Sequence, residues 1–393
     1  VLRAISHQLR KVLGLSLLFS VSFMTHAEVE LLIFPEIKAN YQSANSFSTD
    51  NITPSVDIFS AGAIGPVNFL AEAYASENVQ HIERLQIGFN MSDNSRVWFG
   101  RHHNPYGYWH TQFHHGTFLQ TPISRPAIAE LGSSSGIVPS HSTGVLIEGE
   151  LEQGMSAWHY TASAGLTSSL VSAGGGHHGG AAERALHDFE ISNPKPNEHK
   201  LGYALRLAYF PDALAETQFG GFINHQEIML SLDTRIDEVD HLTDIIIHDD
   251  HHSADDDEHH TEVSEQDMTL NLNIVGLFAS YHQGSLNLVG EAYYFSAAVP
   301  MDGQQHKSNF SAAYVHASYS LDEKWTPYIR LDTTLSNRNN EYLSLLDSFP
   351  TDAYTVGLRL DLKNNNAFKL EYSKRNISDI DSERWLLNWS AVW

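Results

Sequence analysis

A period-two alternation of apolar and polar residues recurs along most of this chain and is cleanest in its last ten residues, RWLLNWSAVW. Trp385, Leu387, Trp389, Ala391 and Trp393 fall on one side, with Arg384, Asn388 and Ser390 on the other. A strand sends successive side chains to opposite faces, so the segment reads as a strand with one apolar and one polar face. Phe368, Leu370 and Tyr372 alternate with Lys369, Glu371 and Ser373 in the same way. Tyr354, Val356, Leu358 and Leu360 alternate with Thr355, Gly357, Arg359 and Asp361. Trp325, Ile329 and Leu331 alternate with Thr326, Tyr328, Arg330 and Asp332.

The rule predicts about sixteen strands: near 30–45, 54–63, 66–76, 82–91, 95–101, 142–151, 155–165, 200–210, 215–226, 267–283, 285–296, 309–320, 325–336, 352–363, 366–376 and 383–393. Short turns, as at 283–285, 322–324 and 364–366, alternate with longer connections. A soluble sandwich would mix Greek keys into this rhythm. Strict up-and-down order instead predicts an all-β fold, a transmembrane antiparallel β-barrel with short periplasmic turns and long extracellular loops. An even strand number puts both termini in the periplasm. The inward face then carries Arg330, Asp332, Arg359, Asp361, Lys369, Glu371 and Arg384 as pore-lining candidates. Charges of both signs there predict a wet lumen.

The first residues fit export. Arg3, Arg10 and Lys11 precede an apolar run at 12–24 and then Thr25-His26-Ala27. That is the order of a signal peptide over 1–27, leaving 28–393 as the barrel. The run is too short to span hydrocarbon. No later stretch approaches 18 consecutive apolar residues. The formal net charge is −24 with His neutral. Such acidity argues against nucleic acid and anionic headgroups as ligands and for divalent cations. Outer-membrane lipid and lipopolysaccharide would surround the barrel, and a homo-oligomer is compatible with it. With no cysteine, metal ligands must come from His, Asp, Glu or backbone oxygens.

Parity places the connections at 102–141, 166–199 and 227–266 outside, and these hold 16 of the 24 histidines. The densest tract, HDDHHSADDDEHH at 248–260, contains His248, Asp249, Asp250, His251, His252, Asp255, Asp256, Asp257, Glu258, His259 and His260. Neutral imidazole donates to zinc first, and also to copper and nickel. Calcium suits the carboxylates, but the EF-hand loop is missing and hard cations have little use for imidazole. The bland alternative is a solvated acidic loop. His177 and His178 sit on a glycine-rich tether that is as well explained by simple mobility.

The first long loop, 102–141, is too apolar to extend into water, and can fold into the barrel and narrow it. Within it His110 and His114 are four apart, so one helical turn would align them, with His115 adjacent. The alternative is that Tyr106, Tyr108, Trp109 and Phe113 fold the loop onto the rim and the histidines are merely hydrogen-bonded. In this loop Gly100-Arg101 followed by Asn104-Pro105-Tyr106-Gly107 distantly resembles the strand-to-loop turn of phosphate-selective porins. The longer string with GYW, FHHG, ISRP and GIVPSH is similar to a group of uncharacterised Gram-negative porin-like outer-membrane proteins. The resemblance covers about a tenth of the chain and implies a barrel, with no reaction or substrate.

The expected function is a porin-like channel whose His/Asp-rich loops bind divalent transition metal and promote its entry. A closed metal-binding surface barrel, a general or anion porin with solvating loops, and an outer-membrane hydrolase are the alternatives. The hydrolase rests on Gly132-Ser133-Ser134-Ser135-Gly136, a GxSxG string without the strand-to-helix elbow that this motif needs.

Overall fold

The computed structural model describes residues 28–393 except 45–46, 78, 114–115, 131–136, 173–183, 188–198, 232–267, 302–303, 337–339, 346–348 and 378–379. The first half of the sheet comprises β1 (Glu28–Ala44), β2 (Phe47–Ile64), β3 (Val67–Ser76), β4 (Gln80–Ser92), β5 (Ser95–His103), β6 (His141–Gln153) and β7 (Ser156–Leu166). A hairpin of β8 (Ser169–Ser172) and β9 (Arg184–His187) follows. The second half comprises β10 (Leu201–Phe210), β11 (Gln218–Ser231), β12 (Met268–Gln283), β13 (Leu286–Met301) and β14 (Gln304–Tyr319). It ends with β15 (Trp325–Ser336), β16 (Asp352–Leu362), β17 (Asn366–Ile377) and β18 (Ile380–Ala391).

Sixteen of these strands close into one antiparallel barrel, matching every strand expected from the alternation. Closure joins β1 to β18, in register from Glu36 opposite Ser390 to Ala44 opposite Ser382. Ile33 and Trp393 exchange both backbone hydrogen bonds at 3.0 Å, so the aromatic last residue extends the seam. β7 pairs directly with β10, leaving β8 and β9 outside the ring. β8 continues in the direction of β7 and therefore lies parallel to the end of β11.

The pattern of exposure is that of a membrane barrel. On β10, Leu201, Tyr203, Leu205 and Leu207 are exposed, while Ala204, Arg206 and Ala208 are buried. Val275 and Leu277 on β12, Leu331 on β15 and Leu387 on β18 face outward in the same way. A soluble protein would not leave so many large apolar side chains open to water; a hydrocarbon surround is the solvent this surface matches. The turns are as short as the sequence predicts. Asn364 and Asn365, with φ of 64° and 52°, make the left-handed pair that joins two right-twisted strands.

The lipid-facing assignment gives a first prediction. Val275 lies midway along β12 and is 51% exposed. Val275→Arg should destabilise the vesicle-embedded barrel by about 2–4 kcal/mol. Leu214→Arg, in the turn after β10, should change stability little. Denaturant unfolding in lipid vesicles measures both, and equal costs would contradict a hydrocarbon belt around β12.

Candidate functional site

The connection at 104–140 leaves β5, enters the barrel and returns to β6. It contains α1 (Trp109–Gln112) and a single 3-10 turn at Ala127–Ala129. Tyr106, Trp109, Ile128, Ala129 and Ile137 are buried against inward-facing Phe222, Phe278, Tyr293, Phe295 and Tyr314. A second short helix, α2 (Glu341–Ser344), supplies Tyr342 to the same core, and its hydroxyl donates to the carbonyl oxygen of Ile137. Apolar loop residues thus share a core with the aromatic inner wall.

The loop backbone is fastened by wall charges. Glu371 accepts from the amides of Ile123 and Ser124 at 3.0 and 3.2 Å and from the Tyr328 hydroxyl at 3.0 Å. Asp332 accepts from the Ala127 amide at 3.0 Å and pairs with Arg330 at 2.9 Å. Arg330 also donates to the Ser124 carbonyl at 2.7 Å. Lys369 donates to the carbonyls of Thr117 and Gln120. Arg359 donates to those of Phe118 and Gln120 at 2.7 and 3.0 Å and pairs with Asp361. On the far side Glu291 accepts from the amides of Tyr108 and Trp109, both at 2.8 Å, and from the hydroxyls of Tyr293 and Tyr314. Arg206 holds the Gly107 carbonyl at 2.9 Å. Gly107 has φ +64°, and a β-carbon there would sit 2.3 Å from both Glu291 Oε2 and the Tyr293 hydroxyl, so only glycine fits.

This changes the meaning of the pore-lining candidates. All seven belong to the polar face of their strands. Arg330, Asp332, Lys369 and Glu371 are at most 7% exposed and lie under the loop instead of facing open water. Arg359, Asp361 and Arg384 are half-buried. The physical reason is that a buried ion left without partners costs several kcal/mol, and loop amides and carbonyls supply those partners. Sequence alternation identifies the face but cannot say what covers it.

The histidine ligands expected from the sequence divide in two. The tract from His248 to His260, with its six carboxylates, and His177, His178, His114 and His115 all lie outside the described residues, as does the 132–136 string. His110 is described and fully buried. Its ring stacks on Tyr106 at 4.2 Å, and its Nε2–H donates to the Ser140 carbonyl at 3.1 Å. Burial, the largest cause, lowers its pKa to about 3, so it stays neutral at physiological pH.

The neck of the loop holds a cluster the sequence reading did not assemble. His103 and His141 are the last cross-strand pair of β5 and β6, with ring centroids 4.8 Å apart. Glu83 on β4 reaches His141, Oε2 to Nε2, at 2.8 Å. Ligand atoms of Glu83, His103 and His141 all lie within 4.8 Å of one another. Glu83 arrives there because β4 has a bulge: Arg84 pairs with Glu72 but Ile82 with Ala73, leaving Glu83 as the extra residue. Asn104 knots the neck, donating to the Pro139 carbonyl at 2.8 Å and accepting from the Ser142 hydroxyl at 2.7 Å.

The anchoring geometry predicts that Glu291→Ala, which strands two buried amides, should lower stability by about 3–5 kcal/mol and loosen the loop. Arg384→Ala, at a half-buried wall position, should cost much less. Denaturant unfolding, with limited chymotryptic digestion after Trp109, is the check. Unchanged protection of Trp109 in Glu291→Ala would contradict anchoring by Glu291.

No protein-family description matches the chain, and no curated protein is similar to it in sequence. Solved structures are similar to it in fold. The anion-selective porin from Comamonas acidovorans superposes with a TM-score of 0.55 at 11% identity, over 94% of this chain and 100% of that one. The outer membrane channel DcaP of Acinetobacter baumannii gives 0.53 at 12% identity over 95% and 99%. OmpF of Salmonella typhi, in complex with daunomycin, gives 0.53 at 10% identity over 92% and 97%. At such identities the likeness concerns the fold: this chain is a sixteen-strand β-barrel of porin architecture.

Proposed function

We propose that the protein is a porin-like outer-membrane channel, narrowed by the loop at 104–140, whose outward-facing His/Asp-rich loops collect divalent transition metal and promote its entry. The observation that carries the channel reading is the inward charge set beside the loop. Arg359, Asp361, Arg384 and Glu36 keep part of their surface open within a ring whose outer face is apolar. Charges of both signs along a narrowed path hold water and pass small solutes. Metal collection rests on composition. The net charge of −24 concentrates cations at the surface, and the histidines of 248–260 add donors that a merely solvating loop does not need. Zinc is the first candidate ion, ahead of copper and nickel.

A second reading, a closed metal-binding surface barrel, is favoured by the aromatic core that Tyr106, Trp109 and Ile137 build across the interior. Planar-bilayer recording separates the two. The channel reading expects stepwise conductance that rises in Glu291→Ala, because the freed loop widens the path. A folded barrel that never conducts, with or without that substitution, would favour the closed one.

Metal collection makes its own prediction. Deleting 244–262 removes none of the described strands, so the barrel should fold while most of the zinc stoichiometry disappears in calorimetric titration. Imidazole must lose its proton to donate, so uptake should weaken steeply from about pH 7.5 to about pH 5.5, across the reference value of ~6.5. Carboxylates, near ~4, would leave a calcium-type site little changed over that range. Equal zinc uptake with and without the tract would rule out its part in metal collection.

A further inference from the structure

We propose that Glu83, His103 and His141 form a transition-metal site that clamps the neck of the inserted loop. This deepens the metal reading above and rests on it for the identity of the ion, while its residues are borne by the wall and not by the outer loops. Two imidazoles and one carboxylate make a three-ligand set of the kind zinc accepts, with a fourth position left for water. Tetrahedral bonds of about 2.0–2.2 Å put ligand atoms about 3.4 Å apart, so a present spread within 4.8 Å needs only rotamer adjustments. Calcium and magnesium are poor candidates because two of the three donors are nitrogen.

The surroundings orient the donors. His141 Nδ1 is 3.0 Å from the Ser140 hydroxyl, which leaves Nε2 pointing at Glu83. The other Glu83 oxygen is held by His81 Nε2. Such outer contacts fix the ring and carboxylate geometry that a metal requires. Side-chain exposures of 12% for Glu83, 10% for His103 and 4% for His141 place the site in a sheltered corner. Glu72 is nearby, with Oε2 3.9 Å from His103 Nε2, but is already paired with Arg84 at 2.7 Å.

The position gives the site a consequence. His103 is the last residue of β5 before the loop and His141 the first of β6 after it. An ion bound between them and Glu83 ties both ends of the loop to β4. Metal occupancy and loop anchorage are then linked, since an ion that binds only the anchored form stabilises it.

The test is zinc titration of the full chain and of the chain lacking 244–262, each with and without His141→Ala or Glu83→Gln, with cobalt(II) spectra as a second readout. Gel mobility with and without heating reports barrel closure. Expected is one tight equivalent that survives removal of 244–262, disappears in His141→Ala and weakens in Glu83→Gln. Cobalt should give the intense bands of a four- or five-coordinate site in the parent and lose them in His141→Ala. Zinc should also protect the loop from chymotryptic cleavage after Trp109 in the parent but not in the variants. The site is overturned if the shortened chain binds no stoichiometric zinc, or if both variants bind as the parent does. If His141→Ala does not fold, Glu83→Gln and the parent cobalt spectrum decide. Loss of the outer-loop reading is separate: it appears as equal uptake by full and shortened chains while the single tight equivalent persists.

Discussion

Backbone amides cannot be left unpaired in hydrocarbon, and the rest of this structure depends on that constraint. Each unpaired group there costs several kcal/mol, so a sheet surrounded by lipid must have no edge. The seam between β1 and β18, extended by Ile33 and Trp393, removes the last one. Once the ring is closed, the pleat divides every strand into a lipid face and an inner face. Leu201, Tyr203, Leu205 and Leu207 take one face of β10, and Ala204, Arg206 and Ala208 the other.

Closure creates an interior that must then be filled or wetted. Here a large part is filled by the chain itself. The loop at 104–140 brings a string of peptide groups that need partners and aromatic residues that need cover. The wall supplies Glu291, Asp332 and Glu371 for its amides, and Arg206, Arg330, Arg359 and Lys369 for its carbonyls. Neither set would be stable in this setting alone, because buried ions and buried peptide groups each carry a desolvation cost that the other offsets. Gly107 permits one of these approaches, since a β-carbon there would meet Glu291 and Tyr293.

The same loop determines where chemistry is concentrated. At its neck three strands meet, and a bulge on β4 turns Glu83 towards the His103–His141 pair. Bulges re-aim side chains at the cost of ladder regularity, and this one brings a carboxylate to two imidazoles. The neck of the loop thus carries histidine near acid, both borne by the wall.

Sequence alone determined the ring. Period two, an even count of segments and strictly alternating short and long connections are local properties, and side-chain alternation is fixed by strand geometry whatever surrounds it. It also determined which residues face inward, Arg330 and Glu371 among them, and that the loop containing Tyr106 and Trp109 is too apolar to stay in water. What covers those inward charges is decided only in three dimensions: Glu371 meets Ile123 and Ser124 across nearly 250 residues of sequence. The same holds for Glu83. Its approach to His141 depends on one register shift against β3, and a bulge leaves no periodic trace in the order of amino acids, because it is a choice between pairings that the whole sheet makes together.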